Sequence, residues 1–347
     1  MGFLDRFKSK GASRVETMSF QVGPELRTVD SGGVEALDAA LARVGTGEVM
    51  HAMDPRRINA FSSGGPSTWS VAMVPVGHDV LCVTYGNSDR IDPARTGVGF
   101  ELSIRVPART DGLWTVMLLR QLVRYMLMSG RELKGGDFLP LPSSITTAVG
   151  DVGGPATRMD SVVLTEDPLL PTVMTPRGPL AVRRVVGILP DERDLMHLWS
   201  ATGLIDQLAM RSAALTTDVT RASLASDPSF VAAMTAGSAR EGSQFAFVAV
   251  PGVSWTDEDD GSVSITFPGG GHGRRIRQMI EARLPHGKHL LIHDSDPDQR
   301  LGVVLRPTAV PEVNIDGEIV EVCLPPDSPM LRMFATADDA PVGWRFR

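Results

Sequence analysis

The sequence predicts a mixed α/β (α+β) protein in two domains, and three observations lead there. The chain has 347 residues, against a usual domain size of roughly 100–200. Its hydrophobic content of 42% and charged content of 22% are those of an ordinary globular protein with a real core. Apolar runs of period two alternate along it with runs at helical spacing, the marks of strands and helices respectively.

The N-terminus MGFLDRFKSK sets Phe3, Leu4 and Phe7 on one helical face with Arg6, Lys8 and Lys10 around it. A basic amphipathic turn can lie on a membrane surface, but so short a segment buries little, and a frayed terminal helix is the simpler reading. Arg6 stands where N-myristoylation wants Ser or Thr. No apolar stretch leading to a small-residue cleavage site follows, and no run approaches the ~18 apolar residues of a membrane span. A cytoplasmic protein with no membrane partner is expected.

Gly33 to Val44 reads as the first firm helix, with Val34, Leu37, Ala40, Leu41 and Val44 on one face and Ser31 near its cap. A loop with Pro55 and Gly64-Gly65-Pro66 follows. Trp69 to Val76 and Val80 to Tyr85 then read as strands joined by a turn at Gly77 to Asp79. Gly97 to Pro107 sets Phe100, Leu102, Ile104 and Val106 against Glu101, Ser103 and Arg105, a half-buried strand. Leu113 to Ser129 is the longest helix, striped by Met117, Leu118, Leu122, Tyr125 and Met126. Core packing against the neighbouring strands explains that stripe better than a Met-rich binding groove.

The chain is organised around Ser161 to Gly187, SVVLTEDPLLPTVMTPRGPLAVRRVVG. An apolar run turns at Asp167-Pro168, breaks at Pro171 and Pro176, and returns from Val182 to Ile188. Proline supplies no ladder donor and restricts the residue before it, so each break marks a sheet edge or a turn. Strands are expected at Asp160 to Leu164 and Pro179 to Ile188. A helix should run from Glu192 to Met210 with an interruption near Gly203. A further helix opens at Asp227-Pro228-Ser229-Phe230, with proline in its first turn.

The Gly, Ser and charged residues of Gly237 to Gln244 read as the domain boundary. The expected division is a tail at 1–19, an N-terminal domain at 20–240 and a smaller C-terminal domain at 241–347. The second domain opens with the strand FAFVAVPG from Phe245 and an acidic loop at Thr256 to Gly261. Then come a strand at Val263 to Phe267, a Gly-rich turn at Gly269 to Gly273, and a helix or strand from Arg274 to Leu284. Strands at Lys288 to His293, Leu301 to Leu305 and Ile319 to Leu324 complete it.

The stretch L-T-E-D-P (Leu164 to Pro168), a short Leu/Pro spacer, T-P-x-G (Thr175 to Gly178) and an apolar strand ending in V-G resembles the central signature of Suppressor of fused domain proteins. Other segments resemble the family in order. Upstream are G-V-E-A-L-D-A-A-L (Gly33 to Leu41), G-G-P (Gly64 to Pro66), T-Y-G-N-S-D (Thr84 to Asp89) and G-V-G-F-E-L (Gly97 to Leu102). Downstream are W-S-A-T-G-L-I-D-Q-L (Trp199 to Leu208), T-D-V-T-R (Thr217 to Arg221) and, more loosely, L-P-H-G-K-H (Leu284 to His289). The resemblance spans residues 30 to 310 and weakens beyond Asp227. It implies a SUFU-like fold of two domains, each a mixed sheet packed with helices.

Several function classes lose support from the residues themselves. A net charge of −7 and a pI near 5.5 argue against a nucleic-acid groove, which needs clustered Lys and Arg. Cys82 and Cys323 sit in apolar stretches and read as small buried hydrophobes rather than as a disulfide or a nucleophile. His286, His289 and His293, with His272, Asp294 and Asp296 nearby, are the one candidate for a metal-dependent enzyme. In an extended strand, however, His289 and His293 share a face while His286 precedes it. The loop FPGGGHGRR (Phe267 to Arg275) lacks the spacing of a nucleotide fingerprint, and Asp257 to Asp260 lacks the calcium-loop pattern. Glu166 and Asp167 could be an acid–base pair, but an Asp before this turn can also bond a backbone amide two residues on. No nucleophile accompanies them, so no cofactor or enzymatic role is expected.

What the resemblance implies is a non-catalytic protein-binding protein. Animal members clasp a short transcription-factor peptide between two domains, added as an extended strand, and bacterial members act largely as immunity proteins that neutralise a toxin. The compact chain fits the bacterial type. Carried onto this sequence, the partner site would comprise Arg90, Ile91, Asp92, Arg95 and Thr96 on the first domain and Arg274, Arg275, Ile276 and Arg277 on the second. The aromatic expected soon after S-D is absent, and the arginines replace a largely apolar strand. The partner is thus expected to be a protein, possibly a cognate toxin, or an extended peptide, with an intracellular regulator or scaffold as the remaining reading.

Overall fold

The computed structural model describes residues 31–51, 70–87, 100–110, 112–147, 154–170, 172–176, 178–296, 298–299, 301–331 and 341–346. The amphipathic N-terminus and the Gly64-Gly65-Pro66 loop lie outside them. The chain divides into two compact units, Met1–Arg193 with Ile205–Ser223, and Asp194–Leu204 with Leu224–Arg347. The division thus falls ahead of the boundary read at Gly237 to Gln244. The glycine there ends a helix instead of opening a linker: Gly242 takes φ 67° and its amide bonds the Ser238 carbonyl at 2.8 Å.

In the first unit, strands β1 (Met50–His51), β2 (Ser70–Val76), β3 (Asp79–Tyr85), β4 (Phe100–Pro107), β5 (Phe138–Pro140), β6 (Ser161–Glu166), β7 (Val173–Thr175) and β8 (Gly178–Ile188) form a sheet. Among the described residues its order is β1-β2-β3-β4-β8-β6-β5, with β7 paired to β8. β4 and β8 run parallel, while the other pairs are antiparallel. The organising stretch is therefore the middle of the sheet: β8 meets β4 on one side and β6 and β7 on the other.

Helices cover both faces of this sheet. Helix α1 (Ser31–Val44) buries Val34, Leu37 and Leu41 against Ala72, Val74, Leu81 and Val83. Helix α2 (Leu113–Ser129) buries Trp114, Leu118 and Leu122 in a cluster with Met73, Cys82, Leu102, Ile104 and Leu164. The period of two puts alternate residues of β2 and β3 into the two cores. β4 differs from the half-buried strand read in the sequence, because Glu101 and Ser103 are buried too. Their polar groups are satisfied by partners described below.

The expected long helix is two: α3 (Pro190–Leu198) and α4 (Ala201–Arg211). The break falls at Trp199-Ser200, not at Gly203, because the Ser200 hydroxyl accepts the Gly203 amide at 2.9 Å and starts a new helix. Helix α5 (Pro228–Glu241) begins as read, with Asp227 accepting the Ser229 amide at 2.8 Å.

The second unit also contains helix α6 (Gly270–Arg283) and strands β9 (Phe247–Val250), β10 (Ser254–Asp257), β11 (Val263–Phe267), β12 (Leu290–Asp294), β13 (Gly302–Pro307), β14 (Glu312–Asp316), β15 (Ile319–Leu324) and β16 (Val342–Phe346). The described strands form two sheets, β10-β11-β16 and β14-β15-β13-β12-β9. Val248, Val250, Ile292, Val303, Leu305, Val320 and Val322 build one wall of the core, with Ile276, Met279 and Ile280 of α6 against it. Phe267 and Trp344 meet edge to face with ring centroids 5.0 Å apart. Of the Gly-rich stretch Gly269 to Gly273, read as a turn, Gly269 is the N-cap and residues 270–273 are the first turn of α6. The apolar spacing of Ile276, Met279 and Ile280 carries the helix back over them.

Candidate protein-binding surface

The motif residues that mark this chain are occupied in holding it together. At the L-T-E-D-P turn, Asp167 Oδ1 accepts the Leu169 and Leu170 amides at 2.7 and 2.9 Å, the side chain-to-backbone turn expected from the sequence. Its Oδ2 accepts Arg184 Nη2 at 2.8 Å and Nε at 3.0 Å, and also the Ser103 hydroxyl. Arg184 Nη1 donates to the Ala214 carbonyl at 2.6 Å. Burial lowers the Arg184 pKa, and the Asp167 carboxylate opposes that shift. This carboxylate is a structural acceptor with its lone pairs engaged. Glu166 lies at the more exposed end of β6.

The T-Y-G-N and F-E-L motifs meet in a second buried network. Glu101 Oε2 accepts the Thr84 hydroxyl at 2.6 Å and Oε1 accepts the Gly86 amide at 3.0 Å. Asn87 Nδ2 donates to the Thr84 hydroxyl oxygen at 2.8 Å. These bonds fix Gly86, Asn87 and Glu101. In T-D-V-T-R, Arg221 forms a paired contact with Glu192, with Nη2 to Oε2 at 2.6 Å, and the Thr217 hydroxyl accepts the Gly187 amide at 3.1 Å.

In the second unit, Trp199 of W-S-A-T-G lies over two glycines. A Cβ on Gly203 would come within 2.5 Å of its ring and one on Gly237 closer still, so only glycine fits. Trp199 Nε1 donates to Glu241 at 2.8 Å. In L-P-H-G-K-H, Gly287 takes φ 70°, and Lys288 Nζ bonds the carbonyls of Glu241, Gly242 and Ser243 at 2.7, 3.3 and 3.1 Å. A cation on the last carbonyls of α5 is a favourable cap. Arg283 crosslinks the same corner, donating to the Ser243 and His289 carbonyls at 2.8 and 2.6 Å.

Arg90, Ile91, Asp92, Arg95 and Thr96 lie outside the described residues. Arg274, Arg275, Ile276 and Arg277 are on α6, a helix and not a strand. Ile276 is fully buried in the second core, so its nomination as a contact is corrected: it anchors the helix. Arg274 and Arg275 are exposed and Arg277 is half-buried. Arg277 lies 3.9 Å from Glu281, one turn on, and Arg275 Nη2 is 3.3 Å from His197 Nδ1.

The histidines do not converge. His286 packs beside Gly242, the His289 carbonyl accepts from Arg283, and His293 Nδ1 lies 2.8 Å from the Asp294 carbonyl with its ring near Phe247. Among the described residues no three His, Cys, Asp or Glu side chains gather as a metal site, and no helix is long and apolar enough to cross a membrane. Beside His286, helices α3, α5 and α6 enclose a half-open cavity of about 380 Å³ floored by Leu195, Leu198, Met234 and Ala282.

A feature the sequence reading missed is that β9 is, among the described residues, an open edge of the five-stranded sheet. Leu291 and Ser295 amides donate to the Ala246 and Val250 carbonyls. Residues 246, 248 and 250 therefore point their backbone at β12, and Phe247 and Ala249 point theirs outward. Phe247 is 58% exposed on that edge. FAFVAVPG announced a strand, but edge position depends on topology and left no local signal.

The fold and site define a two-unit α/β protein whose diagnostic residues lock turns and helix ends, leaving a strand edge and a basic helix face at the surface. Residues 71–222 match the family model described as Suppressor of fused protein (SUFU), so this segment is similar to that family. Human Suppressor of fused homolog is 27% identical over 117 residues, 33% of this chain and 23% of that protein, so the match spans under a quarter of the curated relative. The crystal structure of Drosophila Suppressor of Fused superposes with a TM-score of 0.60 at 16% identity, covering 88% of this chain and 90% of that one. That likeness bears on the fold. A chain from the Sufu–Fu complex crystal structure has a TM-score of 0.45 at 20% identity, covering 58% of this chain and 97% of that one.

Proposed function

We propose that this chain is a non-catalytic protein that sequesters a partner protein, and that the partner is a bacterial toxin which it neutralises in the cytoplasm. The observation that carries the binding role is the open β9 edge, where Phe247 and Ala249 direct their backbone groups outward beside an exposed phenylalanine. An extended segment added there gains main-chain hydrogen bonds and a side-chain anchor. The engagement of Asp167, Glu101, Glu192 and Arg184 in buried structural bonds supports a non-catalytic reading, because none is free to act on a substrate. Arg274, Arg275 and Arg277 of the second unit, and Arg90, Ile91, Asp92, Arg95 and Thr96 of the first, are each proposed as partner-contact residues in their own unit.

The experiment is affinity capture from a lysate of the source cells, followed by expression of the retained protein with and without this chain. A stoichiometric partner that is toxic alone and harmless in its presence supports the reading. A stoichiometric partner without toxicity removes the immunity role and leaves the binding role, whereas an empty capture removes both.

A further inference from the structure

β14 is the opposite edge of the five-stranded sheet from β9, and its chemistry is different. The Gly302 amide donates to the Glu318 carbonyl at 3.1 Å and the Thr308 amide to the Leu324 carbonyl at 2.9 Å. Residue 318 and, on β15, residues 320, 322 and 324 therefore face β13, and Ile319, Glu321 and Cys323 of β15 face β14. Their cross-strand partners are Asp316, Asn314 and Glu312. The intervening Val313 and Ile315 must then direct their N–H and C=O groups away from the sheet.

The side chains of this edge are also sorted by face. Val313 packs on the second core and Ile315, on the same face, is 41% exposed. Glu312, Asn314 and Asp316 share the other face and are exposed. Among the described residues no basic side chain pairs with Glu312, Asp316 or Glu318, whereas the nearby Glu321 is paired with Arg306. This five-residue edge has neither proline nor lysine, and the charges it carries, Glu312 and Asp316, are both acidic, so they oppose pairing with an acidic strand and favour a basic one.

We propose that β14 is a docking edge for a basic extended segment of a partner protein, in which Lys or Arg alternates with apolar residues. The basic positions lie opposite Glu312 and Asp316, and the apolar ones opposite Val313 and Ile315. Charge complementarity also argues against a second copy of this chain as the occupant. Antiparallel self-pairing centred on Asn314 would set Glu312 opposite Asp316 of the other copy, and like charges directly opposite are destabilising. The inference goes beyond capture at β9 and does not depend on what is captured there.

The test is fluorescence anisotropy of the full chain with a short labelled peptide alternating Lys and Val, and with a Glu/Val peptide of the same length. The expected result is saturable, salt-sensitive binding of the Lys/Val peptide alone. Glu312→Lys with Asp316→Lys should weaken it by about tenfold or more. Ile315→Pro removes an outward amide while leaving the bonds to β15, and should abolish binding with the circular dichroism spectrum unchanged. No binding, equal binding of both peptides, or binding unaffected by Ile315→Pro would overturn the proposal. So would a concentration-dependent dimer that Ile315→Pro abolishes.

Discussion

Arg184 Nη2 and Asp167 Oδ2 stand 2.8 Å apart with both side chains wholly excluded from solvent, joining the central strand β8 to the turn that follows β6. The carboxylate also holds two backbone amides and the Ser103 hydroxyl. Removing either partner strands the other in a low-dielectric interior. Arg184→Ala should cost about 3–5 kcal/mol, read by urea unfolding with Trp114 in the same unit as the fluorescent reporter. Replacing both residues with apolar ones should cost less than the sum of the two single changes. Strict additivity would mean that the pair is not coupled.

Trp199 and Gly237 make the corresponding lock in the second unit. Gly237→Ala drives a methyl group into the indole ring, and overpacking of this kind costs about 1–3 kcal/mol. A thermal melt should show a lower transition for the second unit. An unchanged melt would mean that the ring has room to retreat.

Burial pushes the Cys82 thiol up to about 12, with the Thr115 hydroxyl opposing the shift only partly. The native protein should therefore resist a thiolate-selective disulfide reagent at pH 8 at this position, and react there fully once unfolded. Rapid native labelling at Cys82, located by peptide mapping, would contradict the packing assigned to β3.

At Asp218, burial raises the pKa, but the Thr220 hydroxyl and amide and the Arg109 guanidinium outweigh it, so the carboxyl is held below its ordinary 3.8. A depressed carboxyl contributes stability above that value and loses it as pH falls through the lower folded one. Asp218→Asn should lower stability at neutral pH and narrow its gap to the parent chain in that acid window. A gap independent of pH would assign the effect to packing.

Much of the fold was legible in the sequence because periodicity and turn chemistry are local. Leu113–Ser129 and the strands at Ser70–Val76 and Val263–Phe267 follow directly from apolar spacing. Asp167 could be read as a turn acceptor because its bonds to Leu169 and Leu170 are local. Its bond to Arg184 joins it to the neighbouring strand β8 and depends on pairing, so it could not. Gly270 to Gly273 misled because glycine favours turns until a following apolar face requires helix. The short strands β1, β5 and β7 are set by pairing rather than propensity. Ile276 was nominated from the family pattern, yet its place on α6 faces the core. Whether β9 is an edge is a property of the whole sheet, so Phe247 could not be singled out.

Ala249 offers the most direct test of the binding role, because its amide points away from β12 and proline there leaves the native ladder intact. The measurement is affinity capture from the source-cell lysate with the parent chain and with Ala249→Pro, after confirming equal melting temperatures. The account predicts one stoichiometric protein retained by the parent and lost by the variant. Equal retention by both, or nothing retained by the parent, would contradict it.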